Sequence, residues 1–235
     1  MRLPSGDKKT IEETRSTQDD LVGAVAAGNF STGVLIASHQ TAGRGRFDRK
    51  WESGPNDSLT MSLVMDGYAD HPRPWLVGMA VSLAAASALH TQIQWPNDLV
   101  IRKKKCGGVL TEISVAPDGR RIPVVGIGVN LNQSAMPEGL EGRATSIGIE
   151  RDHECDPAQV AELILSAIEE MPEPDSWDAL RPIWMLFDDT QGKQFHLVSG
   201  EPAVALGIGP DGELICSVDG ETTSVMAAEA IFGDS

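Results

Sequence analysis

The sequence predicts an α+β protein with a small all-β unit at its C-terminal end. Three observations carry this. Strand-like and helix-like segments alternate from residue 10 to 187. The Ala-rich stretch Trp75–Leu89 lacks a polar face, as a helix covered on all sides requires. Beyond Gly192 the helical period stops, and short strands are separated by turns such as Pro210-Asp211-Gly212 and Val218-Asp219-Gly220.

Each element has its own signal. Thr10–Thr14 reads as a short strand, and Thr17 with Asp20 three residues later resembles a capping box opening a helix that ends near Gly28. Gly33–Ser38 is a continuous apolar strand, and Ser58–Met65 alternates with period two. Ile93–Trp95, Leu99–Arg102, Val109–Ser114 and Pro123–Leu131 follow as strands, the last two joined through the turn Pro117-Asp118-Gly119. Asp156 caps a helix with Pro157 in its first position, and Val160, Leu163, Ile164, Ala167, Ile168 and Met171 keep helical spacing. Ser176–Phe187 is helical but is expected to be interrupted at Pro182. Phe195–Val198, Ala203–Ile208, Glu213–Val218 and Thr222–Met226 then suggest a small closed barrel. The expected division is residues 1–188 and 189–235.

A chain of 235 residues, 41% hydrophobic and 23% charged, is ordinary for a globular protein. No run reaches the roughly 18 apolar residues of a membrane span, and the N-terminus lacks an apolar signal core. Cys106, Cys155 and Cys216 fit neither a disulfide framework nor metal-ligand spacing, so a reducing cytoplasm is expected. No two of the five histidines stand at metal-ligand spacing, and no metal ligand is assigned. The net charge of −15 disfavours nucleic acid and anionic membranes as partners. That charge is uneven. Residues 1–105 carry thirteen basic and eleven acidic side chains; residues 106–235 carry six and twenty-three. The first half gathers its bases at Arg44, Arg46, Arg49 and Lys50, and again at Arg102–Lys105.

Both clusters lie among glycines. Gly43-Arg44-Gly45-Arg46 combines tight backbone turning with two forked cations suited to phosphate or carboxylate oxygens. In Lys105-Cys106-Gly107-Gly108 the lysine ends a polar turn, and the bare glycines would let a flat ligand lie against strand backbone. Lys105 would favour the Cys106 thiolate, but nothing supplies a general base. Gly126-Ile127-Gly128-Val129-Asn130 lacks the third glycine and the helix of a dinucleotide fingerprint; it reads as a strand with one bare face ending in an amide. Trp95-Pro96-Asn97-Asp98 makes a tight turn whose carboxylate could orient a ligand or accept a hydrogen bond from a basic partner.

In this order the motifs resemble the biotin protein ligases. The matching stretches are Ser16-Thr17-Gln18, Gln40 through Arg46, Arg49-Lys50-Trp51, Trp95 through Asp98, Lys105 through Leu110, Gly126 through Asn130, and Ala144-Thr145-Ser146. The resemblance implies an α+β fold with a class II synthetase-like mixed sheet, flanking helices and a small C-terminal SH3-like β-barrel. It implies activation of biotin by ATP and Mg²⁺ to biotinyl-5′-adenylate, then transfer to a lysine of a biotin carboxyl carrier domain. By family position Ser16, Thr17, Gln18 and Gln40 would hold biotin. Arg44 and Arg46, with Gly43 and Gly45, would form the loop over the adenylate. Lys105 would bridge the biotin carboxyl group and the α-phosphate. Gly108, Leu110, Gly126 and Gly128 would line the trough, with Asn130 on the adenine or phosphate side.

Four residues, at three places, depart from the family. Gln94 stands where lysine is usual, so a charge near the phosphates is missing; Gln18 replaces asparagine; and Phe47-Asp48 puts a carboxylate into the basic loop. Only about fifteen residues precede Ser16, which implies the ligase-only form without a DNA-binding domain. The alternatives are a lipoate or octanoyl ligase of the same architecture, and a paralogue that binds biotin without transferring it.

Overall fold

The computed structural model describes residues 1–226 and 230–231. The chain runs β1 (Asp7–Thr14), α1 (Thr17–Ala26), β2 (Thr32–Gln40), β3 (Gly43–Arg44), β4 (Lys50–Trp51), β5 (Ser58–Val64), α2 (Pro74–Leu89), β6 (Gln92–Gln94), β7 (Asp98–Ile101), β8 (Lys104–Val115) and β9 (Arg121–Asn130). It continues through α3 (Ile147–Arg151), α4 (Pro157–Glu170), α5 (Trp177–Phe187), β10 (Gln194–Leu197), β11 (Pro202–Ile208), β12 (Leu214–Val218), β13 (Glu221–Val225) and β14 (Ala230–Ile231).

Seven strands form one mixed sheet in the order β1-β2-β5-β9-β8-β7-β6. Only β1 and β2 pair in parallel; the other neighbours are antiparallel. Because side chains alternate across a strand, the sheet has two different faces. One carries Val34, Ile36, Leu59, Met61, Leu63, Val109, Ile127 and Val129, and buries them in one core with α2, α4 and α5. Helix α2 is buried nearly all round between this face and α4 and α5, which explains its missing polar stripe. Burying each leucine of that helix contributes about 1.5–3 kcal/mol.

The opposite face is only half covered. Helix α1 seats Leu21 and Val25 on Leu35, Val64, Ile122 and Val124. Past Val124 the strands present Gly126 and Gly128 on β9, Ser62 and Thr60 opposite them on β5, and Leu110 and Gly108 opposite them on β8. Small and polar residues replace apolar ones here, and a trough results.

The C-terminal strands form a five-stranded antiparallel sheet, β13-β12-β11-β10-β14. The expected closed barrel is corrected to this open order: among the described residues no pairing joins β13 to β14. Pro182 does not interrupt α5, which runs unbroken from Trp177 to Phe187. Standing in the second turn, the proline removes one intrahelical bond, while Trp177, Leu180 and Trp184 remain buried. The helix start is also corrected. Ser16, not Thr17, is the N-cap of α1, extended at φ −161° and accepting from the Asp19 amide. The hairpin turn at 117–119 and the Asp156 cap of α4 form as expected.

Candidate active site

One end of the trough is a polar pocket. Freed from capping, Thr17 donates its amide and its hydroxyl to Gln40 Oε1, at 2.8 and 3.0 Å. Its one proton is thereby used, so Ser62 Oγ, 2.8 Å away, donates to Thr17 Oγ1. Gln18 donates an amide N–H to the Val124 carbonyl at 3.0 Å, while its Oε1 is buried without a partner among the described residues. A Cβ built on Gly126 would stand 2.8 Å from that oxygen and 3.4 Å from Ser62 Oγ. An orphaned acceptor and a hydroxyl thus converge over bare backbone, an arrangement that calls for a ligand N–H.

The cationic end is built on β7 and β8. Asp98 and Gly108 are direct cross-strand partners, and Lys105 Nζ donates to Asp98 Oδ1 at 2.6 Å. A Cβ on Gly108 would lie 3.3 Å from the carboxylate and 3.5 Å from the ammonium, so the bare glycine opens space beside both. The basic partner expected for Asp98 is Lys105. The lysine lies inside β8, which begins at Lys104, rather than in the preceding turn, and its backbone bonds residues 143 and 145. The Cys106 side chain points into the core, and burial pushes its thiol up to about 12, which overrides Lys105 and corrects the thiolate expectation.

The segment 43–51 lies over the trough. Gly43 pairs with Trp51 and Arg44 with Lys50 in the short ribbon β3–β4, which the sequence does not reveal. A Cβ on Gly43 would stand 2.5 Å from the Trp51 carbonyl, so only glycine permits this approach. Arg46 Nη1 donates to Asn97 Oδ1 at 3.3 Å, and burial lowers its pKa against the opposing pull of Asp98. Arg44 donates to both oxygens of Glu112, at 3.1 and 2.8 Å, and lies 2.6 Å from Asp19 Oδ1. The hydrogen bond to Glu112 is the chief cause of its raised pKa. The Asp48 side chain lies outside the described residues.

Beyond Gly128, Asn130 donates to the Thr145 carbonyl at 3.0 Å, and Gln133 donates to Ser58 Oγ at 2.7 Å. The structure therefore brings Thr17, Gln18, Gln40, Leu110, Gly126, Gly128, Gly108, Lys105 and Asn130 to one trough, with Ser16 at its helical edge. The Arg102–Lys105 cluster is dispersed: Arg102 pairs with Glu150 and Lys103 with Asp189, leaving Lys105 to the trough. Sequence reasoning did not single out Glu112 and Asp19, which hold Arg44 beside the trough, and gave Trp51 no role of its own. Gln94 accepts from Lys193 Nζ at 2.5 Å, and that lysine also pairs with Asp189 at 2.8 Å.

Among the described residues no three His, Cys, Asp or Glu side chains gather as a metal site, and no helix is long and apolar enough to cross a membrane. The mixed sheet thus carries one glycine-floored trough with a polar pocket at one end and Lys105 at the other. A sequence profile of the biotin/lipoate A/B protein ligase family matches residues 12–132, and the chain belongs to that family. The bifunctional ligase/repressor BirA of Bacillus spizizenii is 31% identical over 240 residues, covering 95% of this chain and 72% of its own. The biotin–[acetyl-CoA-carboxylase] ligase of Paracoccus denitrificans is 27% identical over 240 residues, covering 95% and 99%. The structure of the Aquifex aeolicus biotin protein ligase in complex with biotin and ATP superposes with a TM-score of 0.76 at 25% identity, covering 96% of this chain and 97% of that one.

Proposed function

We propose that the trough is the acyl-adenylate site of an ATP-dependent biotin ligase. A carboxylate oxygen of biotin attacks the α-phosphorus of ATP, the bond to the β-phosphate oxygen breaks, and pyrophosphate leaves. A lysine amine of a biotin carboxyl carrier domain then attacks the acyl carbonyl, losing a proton as AMP departs. The observation that carries this reading is the trough: an orphaned acceptor over Gly126 at one end, and Lys105 beside bare Gly108 at the other. The similarity to ligases named for biotin, one of them solved with biotin and ATP, supports it.

The residues divide the work by position. Thr17, Gln18 and Gln40 bind the ureido head, and the Ser16 cap fixes the helix that presents them. Gly126, Gly108 and Leu110 form the floor along which the acyl chain lies, and at Gly128 the indole of Trp51 takes the place of floor, its ring the surface the ligand meets. Lys105 places a point charge between the acyl carboxylate and the α-phosphate, and Arg46 adds a second cation, which offsets the repulsion of two anions brought together. Segment 43–46 covers the mixed anhydride and keeps water from it. Asn130 faces the nucleotide end. Mg²⁺ enters with ATP as part of the nucleotide substrate. Residues 189–235 are read as a second unit of SH3-like type, and the compartment as the cytoplasm.

A lipoate ligase is the neighbouring alternative. The buried Gln18 Oε1 favours biotin, because a ureido ring offers N–H donors and a dithiolane offers none. Incubating the protein with ATP, Mg²⁺ and either acid, and following pyrophosphate, should give release with biotin only. Adding a carrier domain should give a biotinylated lysine. Release with lipoate alone would overturn the substrate, and release with neither would overturn the activity.

A further inference from the structure

Arg44 is shared between two carboxylates. Both of its terminal nitrogens hold Glu112, one of them also meets Asp19, and the guanidinium is about one-third exposed. One positive charge therefore faces two carboxylates, and these three side chains sum to −1. A polyphosphate brought here would face two carboxylates against one cation, whereas Lys105 and Arg46 set two cations against Asp98. The three partners belong to three elements: Arg44 to β3, Asp19 to the first turn of α1, and Glu112 to β8. Joining them ties segment 43–51 to the helix and the sheet at once. The same ribbon carries Trp51, whose indole stands over Gly128 on the trough floor.

We infer that Asp19 and Glu112 are a latch that holds segment 43–51 shut over the trough, and that Arg44 is a positioning residue which retains the adenylate instead of neutralising its phosphate. This rests on the reading of the trough as an acyl-adenylate site. An isolated ion pair at such exposure contributes little, but a forked arginine shared by two carboxylates falls in the class that does contribute. The fork also distinguishes arginine from lysine, which offers a point charge.

Two measurements on the full chain separate the latch from the activity. In hydrogen exchange without ligand, the Asp19→Asn/Glu112→Gln double variant should exchange the amides of residues 43–51 at least about tenfold faster, with β5 unchanged as the control for folding. Arg44→Lys should fall between the two, and serves if the double variant does not fold. Unaltered exchange in 43–51 would overturn the latch whatever the substrate. In the second measurement, biotin, ATP and Mg²⁺ are supplied without acceptor. The double variant should keep its first-turnover pyrophosphate burst and its KM for ATP, while the later steady release, which follows loss of the adenylate, rises at least about tenfold. Exchanging the charges, Arg44→Glu with Glu112→Arg in an Asp19→Asn background, should restore slow release. If Arg44 were a phosphate ligand, removing its carboxylates would lower the KM for ATP and leave steady release unchanged, and that result would overturn the inference. A wild-type protein with no biotin-dependent burst would overturn the adenylate reading, and the exchange measurement would then decide the latch by itself.

Discussion

The indole of Trp51 stands on Gly128. A Cβ added to that glycine would lie 2.7 Å from the ring, a distance real contacts do not show. Gly128→Ala therefore overpacks the trough, at a cost of about 1–3 kcal/mol. Thermal unfolding should shift down by several degrees, and adenylate formation should fall at least about tenfold as Trp51 is displaced into the trough. An alanine variant with wild-type pyrophosphate release would show that the seat of Trp51 does not shape the ligand site.

Lys105→Ala should slow adenylate formation at least about tenfold, equal to about 1.4 kcal/mol of transition-state stabilisation. Single-turnover pyrophosphate release measures this directly, and unchanged turnover would remove Lys105 from the mechanism.

Thr190 tests the seam between the two sheets. Its buried hydroxyl accepts the Trp95 amide at 2.8 Å, and Trp95 opens the turn that carries Asn97 and Asp98. Thr190→Val leaves that amide buried and unpaired, which costs about 1–3 kcal/mol. Calorimetry should report the loss of stability, and the kcat of adenylation should fall with it. A drop in stability alone would confine Thr190 to packing.

Cys106 makes stability depend on pH in the alkaline range. Its folded-state pKa of about 12 lies above the unfolded value of 9.0, so the native state keeps a proton that the unfolded chain loses. Its contribution is whole below pH 9 and declines as pH rises from there toward 12, by about 1.4 kcal/mol per pH unit. Urea midpoints of Cys106→Ala and wild type between pH 8.5 and 10.5 should converge, and parallel lines would contradict the assignment. Iodoacetamide at pH 8 should leave Cys106 unmodified in the native protein.

Much of this was legible in the residues because local patterns agree with tertiary demands. The two-residue period of β5, the featureless apolar run of α2 and the proline-started α4 each follow from what their surroundings bury. The polar pocket, Lys105 and the glycine floor were visible as residue types suited to a ligand. Other features depend on what meets across the fold. Glu112 is an ordinary strand carboxylate until Arg44 reaches it, and Lys193 is an ordinary turn lysine until it reaches Gln94. Ser16 and Thr17 are both good caps, and only the extended backbone at 16 decides between them. Pro182 carried a warning that its early place in α5 makes mild.

Trp95 buries its ring in the main core and donates its indole N–H to the Gly212 carbonyl, while Phe195, Ala203, Leu214 and Cys216 of the small sheet belong to that same continuous core. What looks like two units drawn side by side should therefore melt as one. A single calorimetric transition, with activity and the small sheet lost at the same temperature, is the expected signature. Any mutation in the C-terminal strands that loosens this seam acts on catalysis from a distance, without touching a ligand.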